Sequence, residues 1–482
     1  NGEVSGAKIA GALEMALKDC ETGKITLPII VFDTGGVRLQ EANFGLLAIA
    51  EIGAAIVALR RYTPIIGIIP GKIGAFGGMS ITAGLCSALI MTREARLGLN
   101  GPEVIEQEAG VREVDSKDKQ LIWGMAGGKQ RTSAGFADVL VEDDSEAIKR
   151  AVSSIQNGEI TIPARTEQVE RYQAFLSLVN PMNRLSPEEV RELWLHSGST
   201  VKTREEARSN DTKSAGRGQK WFDLLRGSAK EIGDVPSVRV ADSWIGEEKV
   251  RYIAVVPDEN NRFPQARKGE VGIEEGWSIA KFVRQAMEMD HDGEKRVIVA
   301  IVDVPSQAYG YHEELLGIHQ SCAAAVDAYA SARLAGHAVI SFIPGNAISG
   351  AFLSHGMQAN RLIALSDDQV NVHVMSKQSA ARITRRSLEE LETATKKVPS
   401  MAYDIFSFQK LGALFSLVQG IDADTPGGTD RDIVLKEIER AVMDTRLSGL
   451  NDLSVRLSST YSRNGGRNAS ILVRKEISEQ WG

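Results

Sequence analysis

The residues that could most clearly take part in catalysis are two adjacent glycines, Gly77 and Gly78, in the segment GKIGAFGGMSITAGL at 71–85. Because glycine has no side chain, a substrate carbonyl can approach the backbone there and accept hydrogen bonds from two amides. The pair lies between an apolar strand pattern and an apolar helix pattern, so its amides lie at a predicted helix N-terminus, where the dipole favours negative charge. We therefore expect an oxyanion hole, although close packing of helix against strand would also explain the glycines.

The same segment excludes two nucleotide-binding motifs. Gly71 and Lys72 are followed by Ile73, so the hydroxyl residue of a phosphate-binding P-loop is missing. The GxGxxG spacing of a dinucleotide site is not supplied by GKIGAFGGM either. Nucleotide binding therefore does not explain the glycines.

The elements around the glycines recur in the second half of the chain. A strand, a long helix, a second strand, a glycine turn and the apolar helix GGMSITAGLCSALIM follow one another in the first copy, and the second copy keeps this order. The match places Asp33 270 residues before Asp303, and Pro70 274 residues before Pro344. A repeat over about 70 residues indicates an internal duplication. Alternating strands and helices are typical of α/β folds.

The repeat predicts an α/β protein of two homologous lobes, residues 1–180 and 236–482, separated by a polar linker at 181–235. We expect the lobes to pack face to face, so that both turns meet across one cleft. In the second lobe the turn reads GNAISGAFL, which offers Gly350 and Ala351 as a second amide pair. The strand pair that opens this lobe has no counterpart ahead of the first lobe, so we expect the N-terminal lobe to be truncated.

Composition argues against several classes of protein. The 482 residues carry 56 Lys and Arg against 63 Asp and Glu, and the resulting net charge of −7 argues against a nucleic-acid binder. The uncharged run at 73–92 contains too many glycines and hydroxyl residues for a membrane helix, and favours a buried strand, loop and helix. The three cysteines are far apart and lack metal-binding spacing. We expect a cytoplasmic protein without a metal and without nucleic-acid or membrane partners.

Longer stretches resemble a known family. DTGGVRLQEA at 33–42, GKIGAFGGMSITAGLCS at 71–87 and LGLNGPEVIEQEAG at 97–110 resemble carboxyltransferase β subunits of the crotonase superfamily, above all the malonate decarboxylase β subunit. EVGIEEGWSIAKFVRQAM, GNAISGAFLSHGMQANRLIAL and VPSMAYDI resemble its γ subunit. The resemblance implies two crotonase-like lobes of ββα spiral type, with the β and γ subunits, usually separate chains, joined in one.

The resemblance also implies an activity: decarboxylation of a malonyl thioester to an acetyl thioester and CO2 in malonate catabolism. The thioester would be carried on the phosphoribosyl-dephospho-CoA arm of an acyl carrier protein, so no cofactor would be bound covalently here. An oligomeric complex with the carrier protein and its transferase subunit would follow. Two alternatives remain: a biotin-dependent carboxyltransferase that passes the carboxyl group to a biotinyl carrier, and a non-catalytic scaffold.

Residue roles follow from this resemblance. Gly77 and Gly78 would form one oxyanion hole, and Gly350 and Ala351 the other, for the thioester oxygen and the departing carboxylate. Gly35 and Gly36 could add amides nearby.

Other residues are assigned roles from their type and position. The enolate carbon needs a proton, and His355 or Tyr309 could belong to the delivery path, unless His355 only packs its helix. Asp33, Asp303 and Ser349 favour turn-forming or helix-capping roles. A basic segment at 376–387 could bind the phosphates of the arm or an acidic carrier-protein helix, or could be a solvated face. Its cationic residues are Lys377, Arg382, Arg385 and Arg386.

Overall fold

The computed structural model describes residues 1–197, 216–449 and 451–481, which form two α/β lobes in contact. The strands of the first lobe are β1 (Ile29–Val31), β2 (Ile66–Ile69), β3 (Ala88–Thr92) and β4 (Val139–Val141), and they form a parallel sheet in that order. Its helices are α1 (Glu3–Glu21), α2 (Ala42–Leu59), α3 (Gly78–Leu85), α4 (Pro102–Ala109), α5 (Lys119–Ala126), α6 (Gly128–Ser133), α7 (Ser145–Gln156), α8 (Val169–Ser177) and α9 (Pro187–His196).

The second lobe contains a larger sheet and a small two-stranded one. Its strands are β5 (Val238–Ile245), β6 (Glu248–Val255), β7 (Val297–Ile301), β8 (Val339–Ile343), β9 (Asn346–Ile348), β10 (Arg361–Leu365), β11 (Asn371–His373) and β12 (Ser416–Val418). The large sheet has the order β12-β10-β8-β7-β6-β5 and is parallel except for the β5–β6 pair, while β9 pairs with β11.

The helices of the second lobe alternate with its strands along the chain, and the first helix precedes every strand. They are α10 (Arg217–Arg226), α11 (Ile273–Met289), α12 (Tyr311–Leu315), α13 (Ile318–Leu334), α14 (Ser349–Ser354), α15 (Lys377–Thr384), α16 (Leu388–Thr395), α17 (Ile405–Gln409), α18 (Gly428–Ser448), α19 (Val455–Ser458) and α20 (Asn468–Gln480). Every residue of β7, β8 and β10 is buried, because helices cover both faces of a parallel sheet.

Helix α2 is the most apolar long helix among those named above. By length and composition the segment Leu39–Leu59 could cross a membrane, but 89% of the apolar stretch within it is buried inside the protein. It packs against α1, against α3 and against α13 of the other lobe. Its hydrophobicity is therefore that of a core helix between the two lobes.

The internal repeat is visible in the order of the elements. The series α1-β1-α2-β2-α3-β3 of the first lobe recurs as α11-β7-α13-β8-α14-β10 in the second. The apolar segments after the two glycine turns differ from the prediction of one helix, since each is a short helix followed by a strand. Periodicity alone does not separate a short buried strand from a helix.

The structure also corrects the alignment of the two turns. The parallel bridge of Thr34 with Ala75 recurs as the bridge of Val304 with Ala347, and from there Gly77 and Gly78 correspond to Ser349 and Gly350. The predicted match of the glycine pair with Gly350 and Ala351 is thus wrong by one residue. The reason is local, since the loop that follows Pro344 is two residues shorter than the loop that follows Pro70.

The predicted polar linker at 181–235 is only partly described, because residues 198–215 lie outside the described ranges. Its described flanks are not solvated chain. Trp194 of α9 lies 4.8 Å from Tyr172, between ring centroids, and Trp221 of α10 is fully buried. The lobe boundaries at 180 and 236 stay predictions, but both flanks of the linker are packed helices.

The interface between the lobes is built mainly by α13, which packs against α2 and α3. The approach is close: a Cβ added to Gly84 of α3 would lie 2.8 Å from the Cβ of Ala323 of α13. Arg60 of the first lobe donates to Asp327 of the second at 2.9 Å. This packing brings the two turns, at the N-terminal ends of α3 and α14, to the same place.

A second contact between the lobes involves the last helix. Helix α20 packs along α1, so the end of the described chain lies on its beginning. Arg474 of α20 donates to Glu14 at 2.9 Å and to Glu51 at 2.8 Å. Arg467 donates to both oxygens of the buried Glu51 carboxylate, at 2.8 and 3.0 Å. Two guanidinium groups therefore compensate one buried negative charge, and we call this contact the terminal clasp.

Candidate active site

A cavity of about 310 Å³ lies between the lobes, with both turns in its wall. The first lobe contributes Gly77 and Gly78, and the second contributes Ser349 and Gly350. Much of the remaining wall is apolar, with Ile49, Phe76, Leu99, Leu353 and Met375 among its residues. The expectation that the two turns meet across a shared cleft is confirmed.

The two amides of the first turn are not equivalent. Gly77 has a φ of 63°, which only glycine adopts at little cost, and its amide donates to the Leu99 carbonyl at 3.0 Å. The amide of Gly78, the first residue of α3, finds no acceptor among the described residues. The backbone of Gly36 is so close that a Cβ on Gly77 would lie 3.4 Å from its Cα. The free donor at this turn is therefore Gly78, beside the cavity-lining loop at 35–37.

The second turn does not offer the predicted pair. The Gly350 amide donates to the side-chain oxygen of Gln307 at 3.0 Å, and the Gln307 amide group donates to Asn100 at 2.8 Å. Ala351 is fully buried and does not line the cavity. The prediction of a second oxyanion hole at Gly350 and Ala351 is therefore wrong, because one amide is already bonded and the other lies behind the wall.

A buried ion pair holds the cavity wall to the second lobe. The Glu314 carboxylate accepts from the amides of Leu99 and Asn100, at 3.1 and 2.6 Å. Arg131 donates to the Glu314 carbonyl at 2.7 Å and lies 3.5 Å from its carboxylate. Burial raises the pKa of Glu314 to about 7, and Arg131 opposes this shift. Sequence reasoning missed these residues, since nothing local marks a contact between positions so far apart.

The two candidates for proton delivery are placed very differently. Tyr309 lines the cavity, and burial raises the pKa of its phenol above the ordinary value, an effect that the nearby Ser349 side chain opposes. His355 is fully buried, with Nδ1 3.0 Å from the Tyr329 hydroxyl and Nε2 3.0 Å from the Ile301 carbonyl. Burial lowers the pKa of His355 to about 4. The expectation for His355 is wrong, because it is a bonded core residue away from the cavity.

The predicted basic segment begins close to the cavity, since Met375 lines it and α15 packs against α4. Two of its charges are already paired: Lys377 lies 3.1 Å from Glu392, and Arg382 lies 3.2 Å from Glu108. Arg385 and Arg386 are exposed at the end of α15, and neither has an ion-pair partner in the described residues. The role of this segment in phosphate binding stays a prediction.

Arg96 is a cavity-lining cation that the sequence did not single out. Its Nε and Nη2 atoms donate to the carbonyls of Lys72 and Ile73, at 3.0 and 3.3 Å. The guanidinium carbon lies 5.4 Å from the ring centroid of Phe76 and 4.9 Å from that of Trp123. No carboxylate pairs with Arg96 in the part of the chain that the structure describes. Arg96 is thus held in place with its charge uncompensated.

Asp303, Asp33 and Ser349 are the remaining residues to which the sequence assigned a role. Asp303 accepts from the amides of Gly218 and Asn346, at 2.9 and 3.0 Å, and so joins its strand end to two distant segments. Asp33 is exposed. The capping role expected of Ser349 is wrong, because Ile348 is the N-cap of α14 and the first-turn amide of Gly350 donates to Gln307.

The comparisons with known proteins bear on what this cavity does. The sequence profile of the malonate decarboxylase γ subunit, MdcE, matches residues 266–481. The crystal structure of a Pseudomonas malonate decarboxylase hetero-tetramer in complex with coenzyme A shares 52% sequence identity, covers 55% of this chain and 99% of that chain, and has a TM-score of 0.52. The chain belongs to the malonate decarboxylase family. The predicted resemblance to its β and γ subunits, joined in one chain, is confirmed.

Two further relatives of this chain come from Malonomonas rubra. The malonyl-S-ACP:biotin-protein carboxyltransferase MADC is 36% identical over 211 residues, which are 41% of this chain and 66% of that protein. The malonyl-S-ACP:biotin-protein carboxyltransferase MADD is 38% identical over 197 residues, which are 40% of this chain and 67% of that protein. The chain thus spans about two thirds of the length of each. The relatives of this chain therefore include malonate decarboxylase subunits and malonyl-S-ACP:biotin-protein carboxyltransferases.

Proposed function

We propose that this chain decarboxylates a malonyl thioester, carried on an acyl carrier protein, to the acetyl thioester and CO2. The observation that supports this most strongly is the shared cavity, in whose wall the Gly78 amide is a free donor and Tyr309 is a cavity-facing acid. Family membership supports a malonyl thioester as the substrate. No general base is needed, because the malonyl carboxylate is already ionised. When it departs as CO2, the electrons of the broken C–C bond stay on the thioester.

The chemistry can be followed atom by atom. When the C–C bond to the carboxylate breaks, CO2 departs and the electron pair enters the thioester, which becomes an enolate with a negative oxygen. A preorganised amide such as that of Gly78 stabilises this oxygen more than the neutral carbonyl, and one such donor contributes about 3 kcal/mol in an enclosed site. The enolate carbon then takes a proton, and we assign its delivery to Tyr309 rather than to His355.

The carrier arm would make further contacts with arginine residues of this chain. A phosphoribosyl-dephospho-CoA arm brings phosphate groups, and Arg96 at the cavity is the cation whose charge is uncompensated. Arg385 and Arg386 could extend this anion-binding surface along α15, whereas Lys377 and Arg382 would first have to leave Glu392 and Glu108. Arginine is suited to phosphate because its planar group donates two parallel hydrogen bonds.

The proposal includes partners and a location. The carrier protein would deliver the substrate, a transferase subunit would load it with malonate, and the assembly would be oligomeric and cytoplasmic. The Pseudomonas relative is a hetero-tetramer, which supports an assembly of several chains. No group would be bound covalently to this chain.

The second candidate function is carboxyl transfer to a biotinyl protein. The observation in its favour is that both Malonomonas relatives are described as biotin-protein carboxyltransferases. The two functions share the enolate and differ in the fate of the CO2. The measurement that separates them is ¹⁴CO2 release from malonyl-loaded carrier protein, or malonyl-CoA, with and without a biotinyl acceptor. Release without biotin supports decarboxylation, and activity that requires biotin overturns it.

The role of the Gly78 amide is tested by a matched pair of variants. Gly78→Ala and Gly78→Pro both add a Cβ that meets the ends of the Ile49 and Leu353 side chains, at 2.4 and 3.0 Å. Only the proline removes the N–H, at the first helical position, where proline is well tolerated. We expect kcat of the proline variant to be roughly 10²-fold below that of the alanine variant. Equal kcat values in two folded variants would contradict the oxyanion-hole assignment.

A further inference from the structure

Ser349 has an unusual backbone conformation. Its φ is 61°, and it is one of two residues other than glycine with a positive φ among the described residues. The corresponding residue of the first lobe, Gly77, has nearly the same φ of 63°. The turn geometry therefore calls for glycine at this position, and the second lobe carries a serine against that preference.

The hydroxyl of Ser349 is not used to stabilise the helix that it begins. The N-cap of α14 is Ile348, and the first-turn amide of Gly350 donates to Gln307, so the usual reason for a serine at a helix start does not apply. Ser349 and Tyr309 both line the inter-lobe cavity, and the Ser349 side chain lies close enough to the phenol to oppose the rise that burial causes in the pKa of Tyr309. Strained residues that are kept at a cavity are good candidates for a functional role.

The two lobes differ at these positions in one consistent way. Counted from the matching bridge residues Thr34 and Val304, Tyr309 of the second lobe corresponds to Leu39 of the first, which also lines the cavity. Serine and tyrosine thus stand in the second lobe where the first has glycine and leucine. The first lobe presents a free backbone amide and the second presents a pair of hydroxyl groups.

We propose that Ser349 is a positioning residue for protonation of the enolate: its hydroxyl orients the Tyr309 hydroxyl toward the enolate carbon and donates a hydrogen bond to the phenolate that forms. This inference rests on the proposed decarboxylation. The Tyr309 O–H bond breaks, its proton forms a C–H bond at the enolate carbon, and the electron pair stays on the phenolate oxygen. Solvent then returns a proton to Tyr309, and the acetyl thioester is complete.

The direction of the pKa effect agrees with this assignment. The Ser349 contact lowers the pKa of Tyr309 against the opposing effect of burial, as a donor to the phenolate must do. The phenol still stays protonated at neutral pH, which is the form that a proton donor needs. The α-carbon of an acetyl thioester is a weaker acid than a phenol, so transfer to the enolate runs downhill.

The test uses Ser349→Gly, because glycine removes the hydroxyl and relieves the strained φ together. We expect thermal stability equal to or above that of the wild type, a kcat reduced about 10-fold and a KM changed less than 2-fold. Ser349→Asn is the matched control, since asparagine tolerates the left-handed region and carries a donor, and we expect it to recover part of kcat.

A second readout reports on the enolate itself. When protonation slows, the enolate persists and recaptures CO2, so the exchange of ¹³CO2 into unreacted malonyl thioester should rise in Ser349→Gly. Tyr309→Phe should lower kcat by about 10²-fold, and adding Ser349→Gly to it should have little further effect.

Several outcomes would overturn the inference. Unchanged kcat and exchange in Ser349→Gly would show that the hydroxyl is dispensable, and fully additive losses in the double variant would show that it does not act through Tyr309. Both results leave decarboxylation intact. A wild-type protein that releases no CO2 under any condition would instead overturn the proposed function, and this inference with it.

Discussion

Glu314 of the second lobe and Arg131 of the first are both fully buried and face each other 3.5 Å apart across the lobe interface. The same glutamate accepts hydrogen bonds from the backbone that leads to the cavity wall at 99–104. The pair therefore links the stability of the interface to the shape of the cavity. Removal of this pair should therefore lower the stability of the interface and also change the shape of the cavity, whereas removal of a nearby unpaired charge should not do both.

Glu314→Gln should destabilise the protein, because Arg131 would keep its buried charge without a counter-charge. Breaking one side of a buried pair costs about 3 kcal/mol or more in the free energy of unfolding. Chemical denaturation above the Glu314 pKa of about 7, where its carboxylate is ionised, measures the loss. A variant as stable as the wild type would show that the pair contributes nothing to the lobe interface.

Glu313→Gln, at the neighbouring residue, should have the opposite effect at alkaline pH. Burial raises the pKa of Glu313 from the ordinary 4.5 to about 8, and no cation pairs with it in the described residues. A group with a raised folded pKa stabilises fully below its unfolded pKa, and this contribution is lost as the pH rises through the folded value. Its share of stability is thus lost between about pH 4.5 and 8. The variant should show a shallower decline over this range, and an unchanged slope would contradict the shift.

Arg96→Met should weaken binding of the carrier arm and leave the chemistry unchanged. We expect KM for malonyl-CoA to rise about 10-fold, with kcat within 2-fold, because one charge-assisted contact to phosphate is lost. Malonyl-N-acetylcysteamine, which has no phosphate, is the control substrate, and its KM should not change. Equal effects on both substrates would assign Arg96 to the malonyl carboxylate instead.

His355→Phe should lower stability without altering catalysis. The variant leaves the Tyr329 hydroxyl and the Ile301 carbonyl without partners in the core, which costs about 1 to 3 kcal/mol. We expect a lower melting temperature and an unchanged kcat and pH profile at temperatures where the variant is folded. A selective loss of kcat in a fully folded variant would restore His355 to the proton path.

The sequence predicted the features that repeat along the chain. The duplicated order of strands and helices, the turns at Gly77 and Gly350 and their meeting in one cleft follow from hydrophobic pattern, glycine placement and internal symmetry. The one-residue error at Ser349 arose because the shorter loop in the second lobe leaves no mark in composition.

The sequence could not predict which residues pair with each other across the tertiary structure. The acceptor for Gly350 is Gln307, 43 positions earlier, and the partner of Arg131 is 183 positions away, so no local pattern reports them. His355 was selected because it follows the turn closely, but the chain leaves the helix there and both ring nitrogens bond to the core. Proximity in sequence to a glycine turn is a poor guide to which side chains face the cavity.

The terminal clasp has a consequence for how the site assembles. Both lobes contribute to the cavity wall, the first lobe the larger share, and they belong to one polypeptide in which α1 and α20 also contact each other through Glu14 and Arg474. The two parts of the cavity wall therefore come together in an intramolecular step, at an effective concentration set by chain geometry rather than by the protein concentration. Specific activity should accordingly be insensitive to dilution of this chain, and the two kinds of lobe are always present in equal number.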